Sequence, residues 1–182
     1  NAPKIAYHLP AMGGLTVGAS FADSGAVGST DTTAFGFRYT TEAAGSSITI
    51  GGATATTEAT TTDKDSQNLG IKIVNGNLSF ALSQGTEEAA DEDQEHTGAA
   101  ISYKMGNGMT IGAYTVDGED ALDAGEEYTA SGVEVQYTIA SGLTAVVIVE
   151  DYEYKAPTTA DSNGTTTGDS GTNSRLVIKA SF

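Results

Sequence analysis

Short and long connections alternate along this chain, and that alternation constrains its fold more than any single motif. Tight links fall at Met12-Gly13-Gly14, Ala44-Gly45-Ser46, Asn75-Gly76-Asn77, Gly106-Asn107-Gly108 and Ser141-Gly142. Gly and Asn supply the positive φ that hairpin turns require. Long links fall at about 22–32, 57–68, 84–97, 117–128 and 153–174. Between the links, apolar residues recur with period two, which is the spacing of one face of a strand. The pattern predicts eleven strands, approximately Lys4–Pro10, Leu15–Phe21, Thr33–Thr41, Ser47–Thr56, Leu69–Val74, Leu78–Ser83, Gly98–Met105, Met109–Val116, Thr129–Ile139, Leu143–Tyr152 and Arg175–Phe182. No domain linker interrupts them.

The two faces differ. The last strand sets Leu176, Ile178, Ala180 and Phe182 against Arg175, Val177, Lys179 and Ser181. The third sets Phe35, Phe37 and Tyr39 against Gly36, Arg38 and Thr40, and the seventh sets Ile101 and Tyr103 against Ser102 and Lys104. One face is apolar, and the other is small, hydroxylated or charged. In an up-and-down sheet, alternating links gather every tight turn on one rim and every long loop on the other. Transmembrane β-barrels have that asymmetry, with lipid on the apolar face and a wet lumen on the other. A soluble sandwich has no reason to produce it. Tyr39, Tyr103, Tyr137 and Phe182 lie on the apolar face near the tight-turn rim, where an interfacial aromatic girdle belongs. The second face carries Gly18, Gly36, Gly51 and Gly112, which would underfill a dry core.

Composition narrows the function classes. Eight basic residues against 24 acidic ones give a net charge of -16, so no basic surplus exists to hold a nucleic-acid backbone. The absence of Cys excludes a disulfide scaffold, a thiolate metal site and a cysteine nucleophile. No apolar run approaches the roughly 20 residues of a membrane helix. The mean hydropathy of -0.18 is compatible with a barrel, whose apolar and polar residues alternate.

On these residues the chain resembles the general porins of Gram-negative bacteria. The ending Arg175-Leu176-Val177-Ile178-Lys179-Ala180-Ser181-Phe182 resembles the terminal strand that the outer-membrane assembly machinery recognises. The opening Asn1-Ala2-Pro3-Lys4-Ile5-Ala6-Tyr7, followed by Leu15-Thr16-Val17-Gly18-Ala19-Ser20-Phe21, resembles the hairpin that in this family follows the pore-folded loop. The family's constriction-loop acids have no counterpart here. The resemblance implies an all-β, antiparallel, up-and-down transmembrane barrel, and a multi-pass protein of the bacterial outer membrane. It further implies a homotrimer in contact with outer-membrane lipid and lipopolysaccharide, passing small hydrophilic solutes and ions. Single-chain bacterial barrels have even strand numbers. Eleven strands therefore point to the C-terminal portion of a longer barrel, with about five strands of a 16-stranded porin lying elsewhere.

The charged residues carry the remaining expectations. Lys4, Arg38, Lys72, Lys104, Arg175 and Lys179 fall on the polar face, all on strands descending to the tight-turn rim. They are expected to line the pore, with His8 and Glu134. They either set a field across it or are ordinary polar lining. Lys64 and Lys155 lie in or beside long links. The acids crowd two long links, one with Glu87, Glu88, Asp91, Glu92, Asp93 and Glu95, the other with Asp117, Glu119, Asp120, Asp123, Glu126 and Glu127. Such an outer rim would concentrate cations and could bridge to lipopolysaccharide phosphates through divalent ions, or it is only a solvated surface. The spacing matches no EF-hand. His96 is expected in the first acidic loop. No cofactor, metal site or catalytic constellation is expected, and no enzyme. A passive, weakly cation-preferring diffusion channel is the first reading. A surface structural protein or adhesin built of β-sheet is the second.

Overall fold

A computed structural model describes residues 4–23, 31–58, 63–89, 92–120, 126–156 and 167–180. Among them every regular element is a strand: β1 (Lys4–His8), β2 (Leu15–Ala22), β3 (Asp31–Ala43), β4 (Ser46–Glu58), β5 (Lys64–Asn75), β6 (Leu78–Ala89), β7 (Glu92–Lys104), β8 (Met109–Asp120), β9 (Glu126–Ala140), β10 (Leu143–Lys155) and β11 (Asp169–Ala180). They pair in sequence order as one 11-stranded antiparallel meander. Tyr39, Tyr103 and Tyr137 occupy the apolar face beside the tight turns, while Phe182 lies outside the described residues.

The tight turns form where Gly was expected to permit them. Gly13, Gly14, Gly45, Gly76, Gly108 and Gly142 all have positive φ. The turns are also joined to the next hairpin along the rim. The Thr40 N–H donates to the Gly14 carbonyl at 3.0 Å, Lys104 N–H to Asn77 at 2.8 Å, and Thr138 N–H to Gly108 at 3.0 Å. Asn75 Nδ2 donates to Ser46 Oγ at 2.8 Å, so two neighbouring turns touch directly. All the tight turns therefore lie on one rim.

The strands run further than expected at the other end. β7 begins at Glu92 rather than Gly98, β8 continues to Asp120, β9 begins at Glu126, and β11 begins at Asp169. The acidic clusters expected in loops are in large part strand: Glu87, Glu88, Asp93 and Glu95 pair across β6 and β7, and Asp117 and Glu119 pair across β8 and β9. Asp91 and Asp123 lie outside the described residues. His96 is likewise a β7 residue paired with Gly85, not a loop residue. Apolar alternation stops partway up each strand, but the backbone ladder needs no apolar side chain to continue.

There is no conventional core. Among the described residues the buried hydrophobics are Ala130, Val146 and Ile148 alone. Meanwhile Ile5 is 74% exposed, Leu176 66% and Leu82 59%. At roughly 25 cal/mol per Å² of apolar surface, so wide an uncovered face would not stay in water. It needs lipid or protein against it. The three buried side chains belong to the other face, because Val146 and Ile148 alternate with exposed Val147 and Val149. That corrects the expectation of a uniformly polar second face: β10 reads Val-Val-Ile-Val and is apolar on both sides.

Candidate functional site

The apolar face has a sharp upper limit. Rising from the tight turns, β6 presents Leu78, Phe80 and Leu82, then Gln84 and Thr86. β5 presents Ile73, Ile71 and Leu69, then Gln67. The change comes at Thr97 on β7, Thr115 on β8, Ser131 on β9, Asp151 on β10 and Ser174 on β11. Above that level the same face carries Asp65, Glu88, Glu95, Asp117, Glu119, Glu127 and Glu153. The strands thus continue past the apolar band as a collar that is polar on both sides. Lys155, clear of the band, pairs with Glu127 at 2.6 Å. That carboxylate raises the Lys155 ammonium above the ordinary lysine value, by hydrogen bonding and charge.

The polar face gathers the predicted cations. Lys4 lies on β1, Arg38 on β3, Lys72 on β5, Lys104 on β7, and Arg175 and Lys179 on β11. All alternate with the apolar series, as expected. Lys64 also faces this side, paired with Glu87 at 2.6 Å. Among the described residues the six predicted cations are in no ion pair. Glu134 sits opposite Ile148, which in turn sits opposite Arg175. His8 is remote from them on β1, opposite Gly18. The strands thus share the polar residues out along a wall and do not bring them to one point. No group of three or more His, Asp or Glu among the described residues is placed to hold a metal.

One arrangement escaped the sequence reading. Three tyrosines on the polar face donate hydroxyl hydrogen bonds to carboxylates one or two strands away. Tyr114 bonds Glu150 across β9. Tyr152 bonds Asp169 at 3.2 Å, and Tyr154 bonds Glu126 at 2.9 Å. Two of the rings are paired directly with glycines, Tyr114 with Gly132 and Tyr152 with Gly171. A Cβ on Gly132 would come within 2.7 Å of the Tyr114 ring, and one on Gly171 within 3.2 Å of the Tyr152 hydroxyl. These rings therefore lie over the wall at glycine positions, where a Cβ would press on them. The signal was present in parity, since Ile111 and Ala113 on the apolar face force Tyr114 to the other.

An antiparallel meander with one exposed apolar face, one polar face and all tight turns on one rim is the wall of a transmembrane β-barrel. The comparisons agree. A family model described as Gram-negative porin matches residues 1–157, and the chain belongs to that family. No curated protein matches it by sequence. Among solved structures it is similar to OccAB3 of Acinetobacter baumannii, with TM-score 0.80 and 14% identity, over 98% of this chain and 54% of that one. It is also similar to an anion-selective porin from Comamonas acidovorans, with TM-score 0.72 and 18% identity, over 98% of this chain and 59% of that one. Similarity to OccD3 of Pseudomonas aeruginosa, with TM-score 0.77 and 9% identity, covers 97% of this chain and 56% of that one. The chain spans a little over half the length of these structures. Its family and barrel-wall fold place it as a multi-pass protein of the outer membrane.

Proposed function

We propose that this chain is the greater part of the wall of a water-filled, passively conducting outer-membrane channel for ions and small hydrophilic solutes. The carrying observation is the sheet with an exposed apolar face on one side and unpaired cations on the other. Charging a lipid-facing midplane position costs about 2–4 kcal/mol, so those cations belong on the wet side. Lys4 to His8 and Asp169 to Ala180 each pair on one edge only among the described residues. Further strands would complete the ring, in keeping with the share of the solved structures covered. Transport is steric and electrostatic, without turnover. A homotrimer fits the reading. So does lipopolysaccharide against the collar, where divalent ions could bridge its phosphates to the carboxylates on the outer side.

The selectivity expectation can be sharpened. Many of the acids, Asp65, Glu88, Glu95, Asp117, Glu119, Glu127 and Glu153, face away from the lumen. Glu42, Glu87, Glu126, Glu134, Glu150 and Asp169 face into it with the basic residues. The lumen wall is therefore close to charge balance, so the cation preference expected from the acid excess of the whole chain is at most weak. The Debye length is about 8 Å at physiological salt, so the preference should fade as salt rises. Reversal potentials across planar bilayers test this. Arg38→Glu and Lys72→Glu should each move the potential toward greater cation preference. Strong anion selectivity in the parent, or no movement in either variant, removes these side chains from the pore wall as functional elements.

A further inference from the structure

We propose that the polar face of β8–β11 carries a binding track for flat organic cations, solutes in which an amidinium, guanidinium or ammonium group adjoins planar carbon. The proposal deepens the channel reading and rests on it. Three Tyr–carboxylate pairs climb this face: Tyr114 with Glu150 nearest the tight turns, then Tyr152 with Asp169, then Tyr154 with Glu126. The first two rings lie over glycine-bearing backbone and remain half-exposed. A tyrosine ring face is electronegative and attracts a cation within about 6 Å. Each hydroxyl occupies part of one carboxylate, and a carboxylate has about four lone-pair sites. Acceptors therefore remain for the charged end of a solute whose flat part stacks on the ring.

The surroundings favour a cation at the upper two pairs. Arg175 lies opposite Ile148, one step below the level of Glu150, so it competes for the lowest pair only. Around Tyr152 and Tyr154 the polar face offers Tyr128, Ala130 and Gly171, with no lysine or arginine among the described residues. Lys155 alternates to the other face and is held by Glu127. Across the sheet, β3 to β5 present small residues such as Gly36, Gly51 and Gly70 on this face. Among the described residues the tyrosines of the polar face are therefore confined to this one wall.

Single channels of the intact protein in planar bilayers test the track, with benzamidinium as probe. Benzoate, similar in shape and opposite in charge, and glucose, neutral, serve as controls. Benzamidinium added on the loop side should interrupt the current at concentrations about tenfold below those at which benzoate does. Tyr152→Ala and Asp169→Asn should each raise the half-blocking concentration about fivefold. Tyr152→Phe, which keeps the ring, should shift it less than about twofold. A purely structural role would instead alter stability and leave the block in place. Equal block by benzoate or glucose, or an Asp169→Asn channel that blocks like the parent, overturns the track while the channel stands. A correctly folded protein that conducts no current overturns the channel reading, and the track with it.

Discussion

Ile101→Arg will keep the protein from folding into membranes, and Ser102→Arg, one residue along β7, will not. Ile101 lies between Phe80 and Ala113 in the middle of the apolar band, whereas Ser102 lies between Ser79 and Gly112 on the other face. A guanidinium in hydrocarbon costs about 2–4 kcal/mol, a large part of the roughly 5–15 kcal/mol by which folded proteins are stable. At Ser102 the same group meets water and small neighbours. Folding into lipid vesicles, read as the mobility shift between unboiled and boiled samples, compares the two. Equal losses would mean that neither face meets lipid. A loss at Ser102 alone would turn the sheet inside out.

Gly14→Ala should be the most damaging of the turn substitutions. Gly14 has φ +88, and a Cβ there would run into the Thr40 carbonyl oxygen. The Thr40 N–H also donates to the Gly14 carbonyl, so the turn cannot back away without breaking the contact between the β1–β2 hairpin and β3. Strain of this kind costs about 1–3 kcal/mol, with the collision in addition. Gly106→Ala is the control, because nothing lies within 4 Å of a Cβ there and its φ is not in the left-handed region. Urea midpoints of the folded protein in detergent should fall clearly for Gly14→Ala and stay near the parent for Gly106→Ala. Matching midpoints would show that the rim stitching contributes nothing to stability.

The meander was legible in the chain because two independent periods agreed. Period-two alternation located the strands, and the spacing of Gly and Asn fixed which links were tight. Faces followed from the same parity, as Arg38 between Phe37 and Tyr39 shows. Strand ends were not legible on the loop side. Residues such as Thr86, Glu87 and Glu88 are soluble by composition, yet they pair with Glu95, Gln94 and Asp93 through backbone bonds that composition does not encode. The Tyr–carboxylate pairs were hidden for a related reason. Tyr114 and Glu150 meet across an intervening strand, which requires the registers of both hairpins. Tyr152 and Asp169 needed β11 to start six residues before Arg175, where the alternation first marks a strand.

The abrupt end of the apolar side chains has a consequence for the kind of bilayer this protein prefers. On β6 the greasy stretch is Leu78 to Leu82, and on β9 it is Val133 to Ile139. At about 3.3 Å per residue and a tilt near 40°, these give a hydrocarbon-matched height of roughly 10–15 Å. Typical outer-membrane barrels show about 25 Å. Mismatch costs fractions of a kcal/mol per Å, which accumulates over a difference of this size. Folding should therefore be fastest and most complete in short-chain lipid vesicles and fall off steadily as the acyl chains lengthen. A rate indifferent to chain length would show that Gln67, Gln84 and their neighbours are covered by something other than lipid headgroups, such as another subunit.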